Sequence, residues 1–214
     1  MPRVLLLLAV ILAVGGCSPS HNTAQKPVTA QSVALQPGDV TGLLRCDTSG
    51  DVESVLRYEQ ANEPTEYQPN ALEWARWKSL GATQGYFAIY GRSQADCNAM
   101  SGAAAGAPPG GLMAGLVVKF KNEATAARIY RGGAPFLGFG IRDMTFIKVA
   151  GGNLTTGRPT GLGQESSVGS ALVVGNSYFF AFWQRKVFDS FLLAYDVQDA
   201  DAMRAVQDVN GRIT

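Results

Sequence analysis

The apolar positions along the chain change period several times. An unbroken apolar run, Val4 to Val14, comes first, with Arg3 before it and Gly15-Gly16 after it. The run is too short to cross a bilayer, which takes roughly 20 apolar residues, and it fits the apolar region of a secretory signal. Residues 18 to 36 are rich in Ser, Thr, Ala and Gln, contain two prolines and have no apolar period. They read as a flexible tether. A folded domain is expected from Pro37 to Thr214. Its first helix starts at Thr48 to Glu53, where a capping oxygen and early acids suit the free N–H groups, and runs to about Ala61. Glu63-Pro64 breaks it. Pro69-Asn70 opens a second helix, Ala71 to Leu80, which stops at Gly81.

Strand signals follow. Tyr86 to Tyr90 is aromatic and branched between two glycines, and Leu112 to Phe120 is apolar apart from Lys119. Residues 98 to 111 are small and read as a long loop. Asn122-Glu123 starts a helix, Ala124 to Arg131. Met144 to Val149 reads as a short strand and residues 151 to 167 as a glycine- and threonine-rich loop. Ala171 to Val174 and Tyr178 to Gln184 flank Gly175-Asn176, a two-residue hairpin turn. Lys186 marks the next reversal before a strand Phe188 to Tyr195. Asp199 to Asp201 then caps a helix whose Met203, Val206 and Val209 recur at helical spacing. Helices at both ends of the domain and antiparallel strands between them predict an α+β fold, an antiparallel sheet with helices packed on it.

Val14-Gly15-Gly16-Cys17 resembles a bacterial lipobox: a branched apolar residue, two small ones, and the cysteine that is lipidated and becomes the mature N-terminus. The resemblance implies a signal peptide over residues 1–16, an acylated (palmitate-bearing) Cys17 followed by the tether to residue 36, and a single extracytoplasmic domain over residues 37–214. The location would be the cell envelope, either the outer face of the plasma membrane or an outer membrane. On that oxidising side Cys46 and Cys97, the only other cysteines, are expected to form a disulfide.

Composition narrows the chemistry. Without Arg3 the chain carries 17 basic and 17 acidic side chains, a balance that offers no case for nucleic acid or an acidic membrane face. The one histidine, His21, lies in the tether. The domain therefore cannot build a Ser-His-Asp or Cys-His nucleophile or a histidine zinc site. No catalytic residue, metal site or cofactor is assigned. Asp47, Asp51 and Glu53 do not follow calcium-loop spacing, and nothing pairs Glu59, Glu63, Glu66 and Glu73 as glycosidase acids. Gly151 to Gly163 with Arg158 lacks a phosphate-binding pattern.

The remaining candidates are aromatic. Tyr178 to Trp183 puts apolar residues on both faces of one strand, as a covered central strand or as a sheet lined for a ligand. Trp74 and Trp77 share a helix face and read either as core or as the wall of a groove. Trp74, Trp77, Tyr86 and Trp183 are the candidate anchors for an apolar small ligand or an envelope protein.

A second resemblance covers Gly110 to Ile213. Leu116 to Tyr130 looks like the strand and helix of small bacterial lipoproteins, and Gly161-Leu162-Gly163-Gln164-Glu165-Ser166 like their Gly-Leu-Gly-x-x-Ser motif. This likeness implies a PsbP-like α+β sandwich and a non-enzymatic binding, accessory or sensor module. The N-terminal helices and Phe136 to Arg158 match no family pattern.

Overall fold

The computed structural model describes residues 27–100, 110–132 and 144–214. The lipobox and the first part of the tether lie outside them. The strands are β1 (Leu44–Arg45), β2 (Gly50–Asp51), β3 (Ala82–Gly91), β4 (Leu112–Phe120), β5 (Asn153–Thr156), β6 (Ser166–Val173), β7 (Asn176–Arg185) and β8 (Phe188–Tyr195). They form one antiparallel sheet in the order β1-β3-β4-β8-β7-β6-β5, with β2 also on β3. The helices are α1 (Ala30–Val33), α2 (Val52–Asn62), α3 (Pro64–Leu80), α4 (Gln94–Met100), α5 (Glu123–Gly132), α6 (Thr145–Val149) and α7 (Asp199–Gly211). The fold is α+β, as the sequence predicts.

Period-two alternation assigns the sheet faces. On one face Ala88, Tyr90, Met113, Val117, Phe179, Ala181, Trp183 and Leu192 pack under α1 and α7, where Val33, Ala205, Val206 and Val209 are buried. On the other, Leu116, Val118 and Phe120 pack under α3 and α5, while Phe180, Phe182 and Leu193 pack with Tyr130 and Ile147. The central strands β4, β7 and β8 are therefore apolar on both sides because helices cover both.

The strands have two distinct ends. Ala82 opposite Phe120, Lys119 opposite Phe188 and the Lys186-Val187 reversal mark one, the Ala82 end. Gly91 opposite Leu112, Tyr195 opposite Tyr178 and the β6–β7 turn mark the other, the Gly91 end. The Cys46–Cys97 disulfide forms as expected and packs beside Ile89, Leu112 and Tyr195. Closing a loop of 51 residues contributes about 4 kcal/mol by chain entropy.

The expected tether is too long at its C-terminal side. From Val28 the chain crosses the sheet as a strap. Thr29 and Ser32 cap α1 reciprocally, and Ala30, Val33, Ala34 and Leu35 are buried. Lys119 Nζ donates to the Val28 carbonyl at 2.7 Å, the Ala30 N–H donates to Gln84 Oε1, and Tyr90 Oη donates to the Leu35 carbonyl. Four apolar residues hidden among glutamines are enough to bind a short segment when a sheet face already waits for them.

Other departures have local reasons. Helix α3 starts at Pro64, not Ala71, because Pro64 takes the first helical position, where its missing N–H costs nothing. Pro69 inside it deprives only the exposed Thr65 carbonyl, which water can serve. Ser93-Gln-Ala-Asp96 forms reciprocal side-chain caps at 2.8 and 3.3 Å and starts α4, a helix that runs into the first residues of the expected loop. The rest of that loop, 101–109, lies outside the described residues. Residues 145–149 are helical, not a strand. Its Ile147 plugs the space beside Gly169 and Gly152, so packing overrides β-propensity. The expected loop over 151–167 contains β5 and a 3-10 turn, Arg158–Thr160.

The β6–β7 turn is Val174-Gly175, not Gly175-Asn176: Val173 pairs with Asn176. Both turn residues have positive φ, 51° and 83°. A branched residue is strained there, and Val174 is 95% exposed, so its side chain gains nothing by packing. Val174→Asn should therefore stabilise the domain by about 1 kcal/mol. An unchanged or lower urea midpoint would contradict the strain.

Arg212 closes the fold. Its guanidinium donates to Asp39 Oδ1 at 2.9 Å, Asp39 Oδ2 at 2.5 Å, and the Val33 and Ala34 carbonyls at 3.1 Å each. The Asp39 side chain is only 6% exposed. Arg212→Ala strands that carboxylate and should cost about 3 kcal/mol. Arg212→Lys, lacking the fork, should recover only part. Equal midpoints for Arg212→Ala and the parent would show the clasp to be dispensable.

Candidate functional site

Trp74 and Trp77 come together on the inner side of α3. The Trp74 ring lies against Gly85, where an added Cβ would sit 3.0 Å from Cη2, so glycine lets helix and strand close up. Its Nε1 donates to Glu53 Oε1 at 2.9 Å. Trp77 packs on Phe120 with ring centroids 5.7 Å apart. Both indoles are buried. Tyr86 and Trp183 belong to the opposite face of the sheet. Tyr86 is half-buried and accepts from Arg45 Nη2 at 2.5 Å. Trp183 is buried under α7. The sheet thus separates the four candidate anchors into two pairs. The space between the sheet and α3 is filled by the tryptophans themselves.

The open concavities lie away from these aromatic residues. A shallow groove of about 460 Å³ at the Ala82 end is lined by Gly161 to Glu165, Gln184 to Lys186, Glu123 and Asn210. A smaller one, about 220 Å³, lies at the Gly91 end between Asp39 to Leu43, Arg92 and the start of α7.

The Gly-Leu-Gly-x-x-Ser motif has a structural job at the first groove. Ser166 Oγ bonds to the Gly163 carbonyl at 2.7 Å, the Gly157 carbonyl at 3.1 Å and Thr160 Oγ1 at 2.6 Å. Leu162 turns inward and is buried. The Leu162 N–H donates to Thr160 Oγ1 and the Gly161 N–H to the Arg158 carbonyl. These amides are engaged within the loop, so the loop does not offer them to a phosphate. Asp51 caps α2 through Ser54, the role its position suggests.

The acids Glu59 and Glu63 meet at the α2–α3 junction. Burial raises both pKa values, and the Glu66 charge adds to it; Asn70 Nδ2, donating to Glu59 Oε1 at 2.9 Å, partly offsets the rise there. Among the described residues no group of three His, Cys, Asp or Glu side chains could hold a metal ion.

One ionisable residue escaped the sequence reading. Asp189 on β8 is 2% exposed, opposite Val118 and Gln184, and neither carboxyl oxygen has a hydrogen-bond partner among the described residues. Burial drives its pKa well above the carboxylate range, and the Glu165 charge adds to the shift. Nearby Tyr130, stacked on Phe182 at 4.8 Å and 3.4 Å from Ser167 Oγ, is pushed up to about 12, mainly by burial. On the other face Trp183 Nε1 and its neighbour Ser190 Oγ are also buried without partners among the described residues. The signal was available: an acid inside the apolar run Phe188 to Tyr195 is anomalous unless it is neutral or paired.

Asp189 sets a pH dependence. The folded chain keeps a proton that the unfolded chain releases above about pH 3.9. Stability should therefore fall as pH rises from there until the folded-state pKa is passed. Asp189→Asn removes this loss, so its urea midpoint should match the parent near about pH 3 and exceed it at neutral pH. Parallel pH profiles for the two proteins would refute a neutral buried Asp189.

No protein-family model matches the chain, and no curated protein matches it. Among solved structures, the extracellular domain of PknH from Mycobacterium tuberculosis is similar over 63% of this chain and 68% of that one, with 12% identity and a TM-score of 0.38.

Proposed function

We propose that this chain is a lipid-anchored, extracytoplasmic lipoprotein whose domain is a non-enzymatic accessory module for another envelope protein. The anchor rests on Val14 to Cys17. The observation that carries the partner reading is the commitment of Trp74, Trp77 and Trp183 to packed cores. An apolar small ligand of the expected kind needs an open aromatic lining, and no aromatic side chain lines the grooves described above. The contact surface fits the Gly91 end, where Leu172 on β6 is 68% exposed and Val174 in the adjoining turn stands out beside it. Neighbouring exposed apolar side chains on a folded domain suit a protein partner. A sensor role would use the same surface.

Two measurements test this reading. Cys17→Ser should move the processed protein from the membrane fraction to the soluble fraction. A photo-crosslinking residue at position 172 should capture one discrete envelope protein from intact cells, and Val174→Asp should remove that capture without releasing the protein from the membrane. Membrane retention of Cys17→Ser would sink the anchor. An empty crosslink, or one that Val174→Asp leaves intact, would sink the partner surface.

A further inference from the structure

The strap fixes where an anchored chain leaves the domain. Val28 is held by Lys119, the penultimate residue of β4, and Ala30 by Gln84, near the start of β3. Both lie at the Ala82 end of the sheet. Eleven residues carry the chain from Cys17 to Val28, and fully extended they reach at most about 40 Å. The nine residues of β4 alone span about 30 Å. Turning the Gly91 end to the bilayer would use nearly the whole reach of that segment along the side of the domain.

Charge points the same way. The chain as a whole is balanced, but the fold distributes the signs unevenly. The Ala82 end exposes Lys121, Arg158 and Lys186, and adds Arg185 and the partly buried Lys119. Arg185 donates to the Asn210 carbonyl and Lys119 to Val28, so the first three are the free cations among them. Acids share this end as well: Glu123, Glu165, which lies 3.4 Å from Arg131, and exposed Asp208 in the last turn of α7, two residues before Asn210. At the Gly91 end Asp196, Asp199 and Asp201 follow β8, against Arg92, Arg204, Arg45 on β1 and Lys148 beside Gly151, and Arg204 is paired with Asp201. A balanced composition therefore hides a basic pole next to the strap and an end of mixed charge away from it.

The geometry points to a membrane-facing surface made of Lys121, Arg158 and Lys186, which seats the Ala82 end of the domain on the anionic phospholipid headgroups of its own anchoring bilayer and presents the Gly91 end outward. This rests on the lipid anchor proposed above. Basic side chains next to an anionic surface each strengthen attachment about fivefold, and the effect fades within a Debye length.

The test uses the full lipidated protein in phosphatidylcholine vesicles with and without about one third phosphatidylglycerol, a content that gives a strongly negative surface. Flotation reads anchoring, and amide hydrogen exchange reads orientation. The Arg185 to Phe188 reversal should exchange several-fold more slowly in the phosphatidylglycerol vesicles than in phosphatidylcholine alone. The Val174-Gly175 turn should be unchanged. The double variant Lys121→Glu/Lys186→Glu should still float and lose the protection, as should the parent in about 1 M salt. Equal exchange in both vesicles, protection at Val174-Gly175, or protection that survives the double variant would overturn the surface and leave the anchor standing. A lipidated form that fails to float in either vesicle would remove the anchor and this orientation together.

Discussion

The Arg212 guanidinium ties the two ends of the domain into one body. It lies just beyond α7 and meets four oxygens of the strap: both of the Asp39 carboxylate and the carbonyls of Val33 and Ala34. Those carbonyls end α1, a four-residue helix too short to satisfy its own last acceptors. Without an outside donor they would be buried and unpaired, a cost comparable to the gain from burying Val33 and Leu35. A planar fork serves carboxylate and carbonyls at once, where an ammonium would act as a point charge. The strap can therefore cover β3 and β4, and that cover permits Ala88, Tyr90 and Met113 to be apolar on this face while α2, α3 and α5 occupy the other.

This dependence explains what could be read in the chain. β4, β8 and α7 were legible because their periods are long and unmixed. The strap was not, because its burial depends on a partner 179 residues away in sequence, and its polar composition resembles that of a linker. The β6–β7 turn shows a milder failure. Moving a two-residue turn by one position changes the pairing by two, which keeps every side chain on its face. The assignment of Phe180 and Phe182 to one side and Trp183 to the other therefore survived a misplaced turn. Residues 145–149 failed outright, since four branched or aromatic residues and one lysine carry no reliable period, and packing onto Gly152, just before β5, and Gly169 of β6 decided them.

The site divides along the same line. An apolar aromatic set on both faces of β7 is compatible with a covered strand or a lined groove, and only the placement of α3, α5 and α7 separates the two. Trp74 decides it on one face by closing onto Gly85, a contact that nothing local to either residue foretells. Asp189 is the opposite case. Its neighbours in sequence already make it anomalous, and the fold adds only the reason it survives: with its pKa raised by burial it can remain neutral, which avoids the much larger cost of a buried unpaired charge.

The strap also bears on how a load would enter the domain. A pull on a chain held at Cys17 arrives at Val28, where the first resistance is the Lys119 bond to its carbonyl. The Lys119 ammonium also lies 5.7 Å from the centre of the Phe188 ring, so β8 shares the load with β4. Peeling the strap further would next break the Ala30 bond to Gln84 and then meet the Arg212 fork at the Val33 and Ala34 carbonyls, ahead of Leu35 and Asp39. The contacts are met in sequence order. The charged clasp that closes the fold lies behind the Lys119 and Gln84 bonds, so fraying over Val28 to Ala30 can occur without opening the core beneath α7.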